Sequence, residues 1–354
     1  MKLICGPMAT VSHPAFRILV EKFGGCDEYY TEMINAGTLL TNGPFEHYYI
    51  DPAPVPSKVV WQLTGRDNGH MEEAAQMLAG LPGIGIDINM GCSAPDIYRF
   101  GAGIGWMLKP LDETEDMVRR VGAVIHKWNE SFAGQDSKGD GQREGFQRKR
   151  FSVKLRLGDD NFTDDQFFSF TDMLVANGVG LLTLHPRTKK EKLTRPARYG
   201  YCQKLCERYH CQGVEVYLNG NVRDYPSAKA AVGKAPDVDG IMISRESVRK
   251  PWIFYDLRKE FAREAGTAGW EQMFPEKSVD MLQLGLDYID DIEKYQPQEF
   301  WKTRLQRFFT YYSDNFLFGH YAQTQFLNAK DNDDLRGRLK EFFEKCPEER
   351  IKKF

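Results

Sequence analysis

An α/β fold, a (β/α)8 TIM barrel followed by a C-terminal all-α helical domain, is the architecture this sequence predicts. Three observations carry it. Eight short apolar, β-branched runs alternate with segments of helical periodicity. Each run ends in a polar or Gly/Pro-bearing turn, and beyond about residue 270 the periodicity is helical throughout. A doubly wound sheet would want a phosphate-binding glycine fingerprint after its first strand, and Gly6-Pro7-Met8 does not supply one.

In chain order the strands are expected at 2–5, 28–30, 58–63, 83–88, 152–157, 180–184, 214–218 and 238–243. Helical faces follow at Phe16, Leu19 and Val20, then at Met71, Ala74, Ala75 and Leu78, at Met117, Val118, Val121 and Ile125, and at Phe167, Phe168, Leu174 and Val175. One more helix is expected over 248–261. Residues 129–150 are Gly-, Ser- and charge-rich without sustained periodicity and end in Gln147-Arg148-Lys149-Arg150, which reads as a mobile insertion on the barrel's N-terminal face. From Met281 to Ile289 and from Phe300 to Tyr312 apolar positions recur at helical spacing, predicting a small bundle whose Lys302, Arg304 and Arg307 form a charged outer face or meet phosphates. The boundaries follow: a catalytic barrel over 1–255, with its insertion, and a helical domain over 256–354.

The composition is that of a soluble globular chain: 354 residues, 42% hydrophobic, 27% charged, 13% aromatic and a formal net charge of -3. That charge argues against indiscriminate attraction to nucleic acid, yet does not decide the partner. No run approaches the roughly 18 apolar residues of a membrane span, and the first residues run straight into a strand, so neither a membrane partner nor a signal peptide is expected. A cytoplasmic location is expected, with a monomer favoured. Seven scattered cysteines suit a reducing compartment without structural disulfides. Cys202, Cys206, Cys211 and His210 match no common zinc spacing, so no metal is expected.

In a barrel the residues just past the strand ends share one mouth. Here they are Pro7 and Met8, Thr31 and Glu32, Gln62, Asn89 and Cys92, Lys154 and Arg156, His185 and Arg187, Asn219 and Gly220, and Ser244 and Arg245. Gln62 and Asn219 offer amide donors and acceptors to a heterocycle edge, and Lys154 is a compact cation. Gly220 and the Ser244-Arg245 turn after the last two strands suit a phosphate, so flavin mononucleotide (FMN) is the natural occupant. Cys92, on a polar, Gly-bearing turn where an apolar strand stops abruptly, reads as a thiol free to give or take a proton.

These residues resemble the tRNA-dihydrouridine synthase family over about the first 255 positions. The likeness is carried by Pro7-Met8, Phe16-Arg17, Thr31-Glu32-Met33, Gln62-Leu63, Asp87-Ile88-Asn89-Met90-Gly91-Cys92, Gly101-Ala102-Gly103, Val153-Lys154-Leu155-Arg156, His185-Pro186-Arg187-Thr188, Asn219-Gly220, Met242-Ile243-Ser244-Arg245 and Pro251-Trp252-Ile253-Phe254. The resemblance implies that Cys92 donates a proton, that Gln62, Lys154, His185, Asn219, Gly220, Ser244 and Arg245 surround FMN, and that Asn89, Arg156 and Arg187 lie closer to the target uracil. It implies tRNA as partner, bound by the helical domain, and NADPH as electron source. Uracil's conjugated double bond accepts hydride at carbon 6 and then needs a proton at carbon 5. Departures from the family pattern are Ser93-Ala94-Pro95-Asp96 after Cys92, Pro186 after His185, and Glu246 after Ser244-Arg245. Two other readings fit the residues: a flavin barrel reducing a small dihydropyrimidine or enone, and a non-catalytic RNA-binding relative.

Overall fold

The computed structural model describes residues 1–132, 147–191 and 195–354. Eight parallel strands form a closed ring: β1 (Lys2–Cys5), β2 (Glu28–Tyr30), β3 (Val59–Thr64), β4 (Gly85–Met90), β5 (Arg150–Leu155), β6 (Leu181–Leu184), β7 (Glu215–Asn219) and β8 (Gly240–Ile243). Neighbours pair in chain order, β1 pairs with β8, and β2 pairs directly with β3, which closes the barrel. A two-residue strand, Ile34–Asn35, extends the edge of β3. All eight predicted strands are present, with ends displaced by two residues at most.

Alternation along the strands explains the interior. Successive side chains point to opposite faces, and in β3, β4 and β5 the apolar set Trp61, Leu63, Ile86, Ile88, Val153 and Leu155 is fully buried on one face. The opposite face carries Gln62, Thr64, Asp87, Asn89, Ser152 and Lys154. Strand register brings these into layers: Gln62 lies beside Asp87, Asp87 beside Ser152, and Asn89 beside Lys154. Below them the interior is apolar, filled by Ile4, Tyr30, Val60, Leu181, Tyr217 and Met242.

By packing, the described chain forms two compact units. The first comprises 1–7, 27–222 and 227–243 and contains the whole barrel sheet; the second comprises 8–26, 223–226 and 244–354. Along the chain, α2 (Asn68–Ala79) and α3 (Leu111–Glu130) bury the helical faces predicted for them, α4 (Asp164–Ala176) buries Phe167 and Leu174 but leaves Phe168 and Val175 half-buried, and α5 (Gly200–Tyr209) and α6 (Tyr225–Val232) follow. A capping box, Thr163 with Gln166, opens α4.

The second unit gathers α1 (Pro14–Glu21) with helices far along the chain, α9 (Met281–Tyr295) above all. The helix expected over 248–261 is two, α7 (Arg245–Arg249) and α8 (Ile253–Glu264), because Pro251 has no N–H to continue the ladder. Then come α9, α10 (Gln298–Tyr312), α11 (Gly319–Leu327) and α12 (Asn332–Lys345), packed through aromatic pairs such as Tyr288 on Phe308, at 3.8 Å between ring centroids. To these helices the chain adds one antiparallel ladder, Ser278–Asp280 with Ile351–Lys353. Among the described residues no helix is long and apolar enough to cross a membrane.

Two expectations about charged residues are corrected. Lys149 and Arg150 are not on a solvated loop: Lys149 is buried, its ammonium bonded to the Leu81 and Gly83 carbonyls, and Arg150 begins β5. Helix α3 holds residues 129 and 130, and 133–146 lie outside the described residues. Arg304 is not a surface cation either, since it is 2% exposed and sits over the Phe300 ring. Lys302 and Arg307 are exposed on the same helix.

Candidate active site at the barrel mouth

Polar layers of the first unit converge where β3, β4 and β5 end. Gln62 Nε2 donates to Asp87 Oδ2 (2.8 Å), Ser152 Oγ donates to Asp87 Oδ1 (2.8 Å), and Asn89 Nδ2 donates to Gln62 Oε1 (2.9 Å). Asn89 Oδ1 then accepts from the backbone N–H groups of Gly91 (3.2 Å) and Cys92 (2.9 Å). The cysteine turn is thus tied to the barrel interior by a continuous chain of hydrogen bonds.

A second set of bonds holds the turn from outside. Arg156 Nε donates to the Gly91 carbonyl (2.9 Å) and its Nη1 to the Thr188 carbonyl (3.1 Å), while the Cys92 carbonyl accepts from Ile104 N–H (3.0 Å). Gly103 has φ +57, and a Cβ there would stand 2.7 Å from the Cys92 carbonyl oxygen and 3.1 Å from its Cβ, so only glycine fits. Cys92 itself is half-buried.

Lys154 faces the same space. It is half-buried by exposed area, yet protein surrounds it closely enough that burial, reinforced by the Arg156 charge, pulls its pKa down to about 8; Asp87 and Cys92 act the other way. It has no hydrogen-bond partner among the described residues. A partly accessible ammonium without a carboxylate partner among the described residues carries a charge that an anion can pair with. Burial also raises Asp87, to about 6, against the hydrogen bonds from Gln62 and Ser152.

Further round the ring, the Arg187 guanidinium Nη1 lies 2.8 Å from His185 Nε2. Arginine can only donate, so Nε2 accepts and the imidazole is neutral with its proton on Nδ1. Arg187 is fully buried and also bonds the Arg195 carbonyl. Gly220, at φ +124, lies against this pair: a Cβ would come within 2.9 Å of His185 Cδ2 and 3.3 Å of Arg187 Nη1. Asn219 Nδ2 donates to the Met242 carbonyl (2.8 Å).

Of the residues expected at the site, Gln62, Asn89, Cys92, Lys154 and Arg156 are brought together by adjacent strands, and His185, Arg187, Asn219 and Gly220 stand at the next strand ends. Pro7 directly follows Gly6, whose N–H bonds the Ile243 carbonyl (2.8 Å). Met8, Ser244 and Arg245 belong to the second unit. There Ser247 Oγ donates to the Ser244 carbonyl (2.6 Å), and Glu246 turns to its own helix, 3.8 Å from Arg249 and Lys250. Asp87, Ser152 and Gly103 also shape the site, although the strand-end pattern in the sequence did not point to them as site residues. The signal for the first two was present, a polar residue at every second position of β4 and β5. Among the described residues no cluster of three or more His, Cys, Asp or Glu side chains stands ready to hold a metal ion.

The donor set suits a planar, polar ring with an anionic edge: amides in fixed orientation, a neutral imidazole and one free ammonium. Comparison with known proteins identifies the family. The dihydrouridine synthase family model matches residues 3–127 and 145–314. A probable tRNA-dihydrouridine synthase of Aquifex aeolicus is 28% identical over 267 residues, 75% of this chain and 75% of that protein. The probable tRNA-dihydrouridine synthase 2 of Bacillus subtilis is 24% identical over 349 residues, 96% of this chain and 93% of that one. The human tRNA-dihydrouridine(20a/20b) synthase [NAD(P)+]-like protein is 27% identical, covering 71% of this chain and 70% of its own length. This chain belongs to the dihydrouridine synthase family.

Proposed function

We propose that this protein reduces uridine to 5,6-dihydrouridine in tRNA, with FMN as its resident flavin and NADPH as electron donor. The observation that carries this reading is the meeting, in one mouth lined by oriented amides, of a half-buried thiol, Cys92, and an ammonium, Lys154, without a hydrogen-bond partner among the described residues. When bound, reduced flavin supplies the hydride that uracil carbon 6 accepts. Gln62, Lys154, His185, Asn219 and Gly220 are the residues we assign to it; Pro7, Met8, Ser244 and Arg245 are assigned from chain order, directly after β1 and β8. Lys154 supplies positive charge for an anionic ring edge.

Cys92 delivers the proton to carbon 5. Its loop is held by Asn89 within the barrel and by Arg156 beside it, which fixes the thiol's approach. Asn89 and Arg156 face the base, and Arg187 acts through His185, whose tautomer it sets. We assign residues 1–255 to catalysis and 256–354 to holding the RNA; a tRNA substrate makes the cytoplasm the expected compartment.

The test is Cys92→Ala in purified protein. It retains yellow flavin and loses at least about 100-fold of its uridine-reduction rate, the scale of a lost general acid. Undiminished reduction in that variant removes Cys92 from the chemistry, and flavin binding without salt-sensitive tRNA affinity shifts the substrate to a small molecule.

A further inference from the structure

We propose that Asp87 is a positioning residue for proton transfer: its buried carboxylate sets the direction of the hydrogen bonds that hold the Cys92 turn. This rests on Cys92 being the proton donor, although its test does not.

An amide side chain has a donor end and an acceptor end, and its neighbours decide which way it faces. A carboxylate only accepts. Asp87 is fully buried, with Ser152 Oγ on one oxygen and Gln62 Nε2 on the other, each at 2.8 Å. Gln62 is also fully buried, so once its NH2 faces Asp87 its oxygen must face Asn89. Asn89 answers with its own NH2, which leaves its oxygen toward the Gly91 and Cys92 N–H groups. Turn Gln62 over and its oxygen meets the carboxylate while its NH2 meets that of Asn89; turn Asn89 over as well and its NH2 meets the Gly91 and Cys92 N–H groups, so the cysteine turn loses two bonds.

Asp87 touches neither thiol nor base; its effect reaches them through two side chains. An apolar residue would be cheaper to bury on this inner face. The upward displacement of its pKa, to about 6, measures the burial the site imposes on the carboxylate.

Residue-resolved hydrogen exchange in the full-length protein tests this, with the amides of Ile86 and Val153 as internal references. Asp87→Leu keeps the number and branching of side-chain heavy atoms in a bulkier group and removes the acceptor, and Asp87→Ala removes it with a smaller side chain. Either speeds exchange at Gly91 and Cys92 about tenfold, the scale of one lost hydrogen bond, without changing the references. Asp87→Asn, whose oxygen still accepts from Gln62, stays within about twofold of wild type, as does Ser152→Ala, which leaves the Gln62 bond intact. In turnover, Asp87→Leu lowers kcat about tenfold or more and leaves KM for tRNA within about twofold. The proposal is overturned by unchanged exchange at Gly91 and Cys92 in the leucine and alanine variants. It is equally overturned if Ser152→Ala or Asp87→Asn loosens the turn as much as they do.

Discussion

The two ends of the same barrel both bury charge, but they treat it differently. At the N-terminal floor Arg150 meets Glu28 through two bonds of 2.7 and 2.5 Å, Tyr217 donates to the same carboxylate (2.8 Å), and Lys2 bonds Glu215 (2.8 Å). Burial alone would raise Glu28, yet the Arg150 contacts outweigh it and hold the carboxyl below its usual range. At the C-terminal mouth Lys154 has no carboxylate in ion-pair contact among the described residues, and burial lowers its pKa against the pull of Asp87. Satisfied charge closes the barrel. Unsatisfied charge, kept at a cost in stability, is what a ligand can use.

The comparison predicts that substitutions at the two ends move stability in opposite directions. Glu28→Ala removes the nearer carboxylate of Arg150, leaving it Glu215 at 3.5 Å and the Tyr217 hydroxyl at 3.3 Å, and destabilises by about 2–3 kcal/mol in urea unfolding, while the molecules that remain folded keep their uridine-reduction rate. Lys154→Met does the reverse. A lysine whose folded pKa lies below its unfolded value weakens the fold at every pH below that folded value, and stability recovers as pH rises from about 8 to 10.5. With solvent access discounted, the methionine variant without flavin gains about 2 kcal/mol at pH 7 and loses that rise with pH, while its flavin affinity, read by fluorescence titration, drops about tenfold or more. Smallest is Gly220→Ala, which forces a Cβ toward His185 and lowers stability by about 1–2 kcal/mol in thermal unfolding, with weaker flavin binding. Equal destabilisation at both ends would abolish the distinction.

Much of this was legible in the sequence, for identifiable reasons. The strands announce themselves by alternation, and a barrel's strand ends must converge, so Gln62, Asn89, Cys92 and Lys154 were readable as neighbours. Asp87 lies in the same motif but inside β4, short of its end, so the convergence of strand ends does not single it out. The floor network was hidden because Lys2, Glu28, Arg150 and Glu215 meet only through closure of the ring. Lys149 and Arg150 read as loop cations because a charged tract looks solvated until its ends are placed. Arg304, burying a guanidinium against Phe300, shares its helix with exposed Lys302 and Arg307, and periodicity alone did not separate them. The grouping of α1 with α9 joins segments more than 250 residues apart, beyond the reach of any local pattern.

The most direct test of the central claim is a position-resolved map of dihydrouridine in tRNA from cells lacking this gene, then supplied with wild type or Cys92→Ala. Loss of the modification at defined positions, restored by wild type and not by the alanine variant, is the predicted result. An unchanged map without the gene, or full restoration by Cys92→Ala, would contradict it.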